Sequence, residues 1–223
     1  MNWPLIAASF LPGLLILWWI LRHDRYRSEP PMQLVICFLA GALITLPIYW
    51  VEKIANEAGF GDDSDVGLTL IYAFAVVALS EELAKFLVLR LYIFRHPDFD
   101  EPLDGIVYAA MIGIGFACVE NAVYALRFDD WDTIIVRSFT AVPAHASFAI
   151  ISGYYVGKAK FDLQNRKKLL QNALLWPVIA HGIYDFCIMQ SLYDWMLALA
   201  LPVLIICIYF AWQLIEEYDE KTV

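Results

Sequence analysis

The chain is a succession of seven long apolar runs separated by short polar stretches. Each run is long enough to cross a bilayer as a helix, which takes roughly 20 apolar residues, and none alternates with the two-residue period of a membrane β-strand. Backbone groups in lipid must be hydrogen-bonded within their own segment, so the runs are predicted to be helices. They cover Pro4–Leu21, Met32–Val51, Val66–Phe94, Leu103–Leu126, Thr133–Val156, Leu169–Met189 and Trp195–Ile215.

Composition extends this prediction to the whole chain. Of 223 residues, 61% are hydrophobic and only 17% are charged, with a mean hydropathy of +0.61. Soluble domains carry about 45–50% apolar and about 25% charged residues. We therefore predict an all-α polytopic membrane protein, a bundle of about seven transmembrane helices in one integral membrane domain spanning 1–223. No basic residue precedes the first run, which favours a retained span over a cleaved signal.

Lysine and arginine predict the orientation of the bundle. Two basic residues, Lys53 and Arg127, lie in loops on one side. By the positive-inside rule the other side is cytoplasmic, which places the C-terminus inside and the N-terminus outside. The net charge of −9 comes from short loops and the C-terminal tail, so we expect a lipid bilayer and no nucleic acid as the surroundings. The eleven basic residues of the cytoplasmic side are Arg22, Arg25, Arg27, Arg90, Arg95, Lys158, Lys160, Arg166, Lys167, Lys168 and Lys221.

Small residues recur every four positions in two of the spans. Such a pattern lets neighbouring helix backbones approach closely, so we expect tight packing there. The fourth span carries Gly105, Ala109, Gly113 and Ala117, and the fifth carries Ala149, Gly153 and Gly157.

Eight ionisable residues lie well inside the predicted spans. Each costs roughly 2.5–3.5 kcal/mol at the centre of an inserting helix, so they are expected to face one another or a hydrated cavity. Their depths agree with one site that runs from mid-membrane toward the outer face. These residues are Glu81, Glu82, Lys85, Glu120, Arg137, His145, His181 and Asp185.

Spacing within two of the spans supports direct contacts. Glu81 and Lys85 are four residues apart, and so are His181 and Asp185. Residues at this spacing lie on one face of a helix, so the first pair can form an ion pair and the aspartate can orient the imidazole. A network of ion pairs that only locks helices together, Glu81–Lys85 and Glu120–Arg137, is the structural alternative. It leaves the two histidines at the same depth unexplained.

Two prolines precede the histidines. Pro143 lies two residues before His145, and Pro177 lies four residues before His181. Proline removes a helix N–H and disturbs the preceding turn. Irregular backbone at membrane depth is tolerated where it lines a cavity, so both histidines are expected beside helix irregularities in a hydrated site.

Four motifs follow one another on successive spans. They are Glu-Glu-x-x-Lys at Glu81, Phe-x-x-x-Glu-Asn ending at Asn121, a histidine after Pro-Ala (His145), and His-x-x-x-Asp at His181. In this order they resemble the PrsW family of intramembrane proteases, with a more distant similarity to the CAAX prenyl proteases and Abi proteins. The resemblance covers about residues 70–190, within a predicted core at 66–190 that carries the motifs.

The resemblance implies an intramembrane endopeptidase in a bacterial or archaeal cell membrane. Its substrates would be membrane-anchored proteins, since family members are implicated in site-1 cleavage of anti-sigma factors. The alternative is a transporter or channel that uses buried Glu, His and Asp side chains as a proton or ion relay.

Peptide hydrolysis needs an activated water, and two mechanisms remain open. In the glutamic mechanism, Glu81 or Glu82 is the general base, and Lys85 balances the charge. His181, held by Asp185, would then stabilise the oxyanion.

In the same mechanism His145 and Glu120 would position the water, and Asn121 and Arg137 would support the site. In the metal mechanism, His145, His181 and one carboxylate, Glu120 or Glu81, bind zinc and leave a position for water. The chain lacks His-Glu-x-x-His, so we favour the metal-free mechanism and leave zinc open.

Overall fold

The computed structural model describes residues 2–23, 29–61 and 63–219. Within these ranges the chain forms helices and turns and no strand, and seven helical segments are long and apolar enough to cross a membrane. The predicted all-α polytopic architecture is therefore confirmed. Arg25, Arg27 and Lys221, which contributed to the predicted orientation, lie outside the described residues. The α-helices are α1 Trp3–His23, α2 Pro31–Glu57, α3 Val66–Ile71, α4 Leu79–Leu91, α5 Pro102–Phe128, α6 Trp131–Phe139, α7 Ala141–Phe161, α8 Arg166–Met189 and α9 Asp194–Asp219.

Two of the spans are interrupted at the depth of the polar residues. In the third span, a π-helical segment at Tyr72–Ala78 joins α3 to α4 and ends shortly before Glu81. In the fifth span, α6 and α7 meet at Thr140, whose φ of −122° and ψ of −70° break the helix. π-Helical insertions are frequent at functional sites, and the sequence pattern did not predict this one.

The effects of the two prolines differ. Pro143 lies in the first turn of α7, directly after the break at Thr140, so the predicted irregularity before His145 is present. Pro177 lies inside α8, which continues through it from Arg166 to Met189. The predicted break before His181 is therefore wrong, because a helix can accommodate one missing N–H where its neighbours hold it in place.

Helix α5 is the centre of the bundle. In the most apolar stretch of α5, 78% of the residues are buried, whereas in that of α2 only 17% are buried. On one side α5 meets α7 so closely that a Cβ added at Gly105 would overlap the Gly153 carbonyl oxygen, and one added at Gly153 would overlap the carbonyl of Gly105. On another side Gly41 of α2 approaches the Ile112 carbonyl oxygen of α5 in the same way. The small residues thus produce the predicted tight packing.

The remaining helices complete the bundle around α7. Side chains from α7, α8 and α9 form one buried apolar cluster, which holds the C-terminal helices against the centre. The cluster contains Ala144, Phe148, Tyr184, Cys187, Ala200, Leu204 and Cys207. Large apolar side chains cover the outside of the bundle, as a lipid-facing surface requires.

Helix α6 is anchored at its start by a side-chain cap. The Asp130 carboxylate accepts a hydrogen bond from the Thr133 N–H at 2.8 Å. This hydrogen bond holds the pKa of Asp130 below its usual range. The cap fixes the end of α6 that lies farthest from the break at Thr140.

We predict that Gly153→Ala destabilises the bundle, because the new methyl group would overlap the Gly105 carbonyl. Overpacking of this kind costs about 1–3 kcal/mol, more than the preference of a helix for alanine returns. Thermal unfolding of purified protein in detergent measures the effect. Gly67→Ala is the control, since its methyl group would meet only the exposed Asp65 carboxylate. Equal stability of both variants would contradict the close approach of α5 and α7.

Candidate active site

The polar residues of five separate elements meet in the interior of the bundle. The carboxylate pair and the lysine enter on α4, directly after the π-helical segment, and the histidines enter on α7 and α8. The structure brings together all nine residues that the sequence assigned to the site. They are Glu81, Glu82 and Lys85 on α4, Glu120 and Asn121 on α5, Arg137 on α6, His145 on α7, and His181 and Asp185 on α8.

The Lys85 ammonium group lies at the centre of this cluster. Its Nζ is 3.0 Å from Glu81 Oε2, 2.8 Å from Glu82 Oε1 and 3.1 Å from His145 Nδ1. The ring of Phe116 lies 4.2 Å from the same nitrogen, as in a cation–π contact. The predicted ion pair between Glu81 and Lys85 is therefore present, and the lysine pairs with the second carboxylate as well.

His145 connects the centre of the cluster to an outer carboxylate. Its Nδ1 faces the carboxylate pair, 3.8 Å from Glu81 Oε2, and its Nε2 lies 2.9 Å from Glu120 Oε2. Glu120 Oε2 is also 2.7 Å from an Arg137 guanidinium nitrogen. The Arg137 Nε in turn donates to Asn121 Oδ1 at 2.8 Å. The two ion pairs of the structural alternative are both formed, but His145 joins them into one network.

His181 is oriented in the same way from the opposite side. Its Nδ1 lies 2.9 Å from Glu82 Oε1, and its Nε2 lies 3.1 Å from Asp185 Oδ2. The contact with Asp185 is the one that the four-residue spacing predicted. Each histidine thus points Nδ1 toward the carboxylate pair and Nε2 toward a further carboxylate. An outer carboxylate on the second ring nitrogen fixes the orientation of a histidine that binds a metal.

Aromatic rings close the inner side of the cluster. The Phe148 ring stacks on His181 with centroids 4.8 Å apart, and Phe116 lies 5.6 Å from His145. Sequence reasoning did not assign a role to Phe148. Its position three residues after His145, on the same face of α7, was the available signal.

A cavity of about 1040 Å³ connects this cluster to one end of the bundle. Its inner part is lined by Glu81, His145 and His181, and its outer part by the C-terminal ends of α2 and α5. The cavity is as large as the largest small-molecule pockets, which range over about 300–1,000 Å³. The predicted hydrated cavity around the polar residues is thus present.

One carboxylate of the cavity was missed. Glu52 of α2 is half-buried and lines the same cavity as Glu81. The predicted second span ended at Val51, six residues before the end of α2 at Glu57. Glu52 therefore lies outside the predicted span, and the sequence pattern assigned it no role.

Four side chains of the cluster form a group that can hold a metal ion. One ligand atom from each of Glu81, Glu82, His145 and His181 lies within 4.8 Å of the others. Carboxylate oxygen and imidazole nitrogen are the ligands that zinc accepts, at about 2.0–2.2 Å. Glu120, which the sequence placed in the zinc triad, lies outside this group and contacts the far nitrogen of His145.

The chain is similar to one protein family and to several individual proteins. Residues 29–213 match the family described as "PrsW family intramembrane metalloprotease". The chain is 36% identical to Protease PrsW of Geobacillus kaustophilus over 84% of this chain and 80% of that protein. It is 34% identical to Protease PrsW of Clostridioides difficile over 99% and 92% of the two chains. The Bacillus subtilis protein of the same name is 32% identical over 86% and 85%. No solved structure matches the chain significantly.

We predict that Lys85→Met strongly destabilises the protein, because it leaves two carboxylates buried side by side without their cation. Removing one partner of a buried ion pair costs about 3–5 kcal/mol. Unfolding in detergent gives this value, and adding Glu81→Gln to Lys85→Met should restore part of it. Lys53→Met is the matched control, since the Lys53–Glu57 pair is exposed and long at 3.9 Å. A Lys85→Met protein as stable as the control would show that Lys85 does not hold the pair.

Proposed function

The chain belongs to the PrsW family of intramembrane proteases, and we propose that its buried Glu–His cluster is a metal-dependent peptidase site. Family membership makes the protein an intramembrane endopeptidase and removes support for the transporter or channel alternative. The sequence resemblance was limited to residues 70–190, whereas the family match also includes the second span and most of the last. The metal, the residues that bind it and the substrate are the content of the proposal.

The orientation of the two histidines is the observation that carries the proposal. His145 and His181 direct Nδ1 toward the same carboxylate pair, and each is held at Nε2 by a separate carboxylate, Glu120 or Asp185. A structural ion network has no need for two imidazoles fixed in this matching way. Metal-binding histidines have such outer partners almost always.

The donor set fits a divalent metal. Two imidazole nitrogens and two carboxylate oxygens are buried and lie within one small region. In the structure, the Lys85 ammonium group supplies the positive charge next to the two carboxylates. We propose that His145, His181 and one or both of Glu81 and Glu82 would hold the metal, in place of the triad with Glu120. A bound zinc ion would supply Lewis-acid activation of water and of the scissile carbonyl group.

The surrounding residues have roles that follow from their contacts. If one carboxylate of the Glu81–Glu82 pair holds the metal, the other can take a proton from the attacking water and return it to the leaving amine. Glu120 and Asp185 hold the imidazoles in fixed orientations. Arg137 of α6 balances the charge of Glu120. Its hydrogen bond to Asn121 also ties α6 to α5. Phe116 and Phe148 exclude water from the inner side of the cluster.

The metal-free glutamic mechanism is the second candidate, and the position of Lys85 is the observation that favours it. With its ammonium group between Glu81 and Glu82, Lys85 already offsets one of their two negative charges without a metal. One glutamate would then act as base, and His181, held by Asp185, would stabilise the oxyanion. The two mechanisms differ in whether the active protein contains a metal.

We expect active, detergent-purified protein to contain about one metal ion per chain and to lose activity when a chelator removes it. Asp185→Asn and Glu120→Gln should each weaken metal binding about 10–100-fold, because each releases one histidine from its outer partner. Metal content by mass spectrometry and binding by calorimetry measure both effects independently of activity.

Glu57→Gln is the control for these variants. Glu57 lines the same cavity at its outer end and is exposed, so its replacement should leave metal binding unchanged. Full activity of metal-free protein in the presence of a chelator would exclude the metal mechanism. Full activity of folded His181→Ala protein would exclude both mechanisms.

We further propose that the substrates are membrane-anchored proteins of the anti-sigma-factor type and that the cavity faces the outside of the cell. The N-terminus would then be outside and the C-terminus cytoplasmic, as the basic residues indicate. The ends of α2, α5 and α8 that border the cavity, with the acidic loops that follow them, would then face outward. Cleavage would occur on the outer side of the membrane.

The orientation predicts a signal from each of two reporter fusions that report opposite sides of the membrane. Green fluorescent protein fused after Val223 should fluoresce in bacterial cells, because it folds in the cytoplasm. Alkaline phosphatase inserted between Asp129 and Asp130 should be active, because it requires export. Activity of alkaline phosphatase fused after Val223 would reverse the proposed orientation.

A further inference from the structure

One wall of the cavity is formed by side chains that also face lipid. Val136 of α6 and Leu197 and Leu201 of α9 line the cavity. They are nevertheless 58%, 59% and 56% exposed, respectively. A side chain that borders the cavity and the lipid at once marks a place where the bundle is open sideways.

The helix break at Thr140 produces this opening. Both halves of the span pack against α5, but α7 also packs extensively against α8 and α9, whereas α6 packs against α1. Arg137 holds α6 on the α5 side through Glu120 and Asn121. The two halves of the fifth span thus have different neighbours beyond α5, and no extensive packing joins α6 to α9 in the part of the chain that the structure describes.

Helix α9 is held on the other side of the opening. Ala200 and Leu204 belong to the buried cluster with α7 and α8, so they fix the position of α9. Leu197 and Leu201 continue along the cavity toward the end of the bundle where α6 begins. Among the described residues, α6 is connected to α5 through Asp129–Asp130 and α9 to α8 through residues 190–193, so neither connection joins α6 directly to α9.

The two openings of the cavity differ in polarity. The end near α2 is lined by charged side chains, among them Glu52, Lys53 and Arg127, and suits water. The opening between α6 and α9 is bordered by apolar side chains at membrane depth, where an apolar segment loses nothing by leaving lipid.

We propose that the opening between α6 and α9 is the lateral entrance for the transmembrane segment of a substrate. The occupant is a single apolar helix of a membrane-anchored protein, whose end unwinds in the cavity to expose a peptide bond to the cluster at Glu81 and His181. The inference rests on the proposed catalytic role of that cluster, because the entrance leads to it. Water reaches the same cluster from the charged end.

The test compares bulky replacements on the two sides of each helix. Leu201→Trp and Val136→Trp place a large ring in the entrance. Ile205→Trp and Ile135→Trp are the matched controls, because these residues are 57% and 50% exposed on the same helices without lining the cavity. The probes are a single-span reporter protein that the wild type cleaves in proteoliposomes and a short water-soluble quenched peptide with the same scissile sequence.

The entrance variants should cleave the single-span reporter about tenfold more slowly than the wild type. Their cleavage of the soluble peptide and both activities of the control variants should stay within about twofold. Reporter cleavage at the wild-type rate by both entrance variants would overturn the proposal. So would an equal loss with both probes, which would indicate damage to the cluster.

A cross-linking measurement covers the case of a poorly folded variant. A photoreactive phenylalanine analogue at position 201 should cross-link the single-span reporter in membranes, and one at position 205 should not. Equal cross-linking at the two positions would overturn the proposal. Failure of the catalytic site itself is distinguishable, since His181→Ala would then cleave the reporter normally, whatever the outcome at positions 136 and 201.

Discussion

Two carboxylates side by side in a membrane interior require a cation in contact with both. Removing a charge from water costs several kcal/mol even after the protein relaxes, and a like-charged neighbour adds repulsion. In this protein Glu81 and Glu82 share the Lys85 ammonium, which lies within about 3 Å of each. With one of the two negative charges offset by Lys85, the histidines contribute further hydrogen bonds to the same group of side chains. The arrangement of the whole cluster follows from this requirement.

The scaffold places the cluster by combining close packing with local irregularity. Glycines on α5 and α7 let the central backbones touch, which brings Glu120 and His145 within hydrogen-bond distance. The π-helical segment before Glu81 and the helix break at Thr140 interrupt two of the spans that surround the cavity. A tightly packed centre thus coexists with a cavity large enough for water and a peptide.

Hydrolysis inside a membrane has to bring together water and an apolar substrate. The charged end of the cavity and the apolar opening between α6 and α9 separate these two requirements in space. Arg137 contributes to both, because it balances the charge of Glu120 in the cluster and holds α6 against α5. The chemistry of the site and the access to it therefore depend on some of the same contacts.

The sequence alone determined the seven spans, the helical class and the residues of the cluster, because lipid penalises every unpaired charge and every unsatisfied backbone group. It also determined the contacts within one helix, such as His181 with Asp185, since four-residue spacing is a local property. Only the tertiary structure decided the contacts between helices. It assigned Glu120 to the outer nitrogen of His145, brought Glu52 to the cavity, and packed α6 against α5 and α1 rather than against α9. These outcomes depend on helix rotation, helix ends and breaks, which are set by packing between distant segments rather than by local pattern.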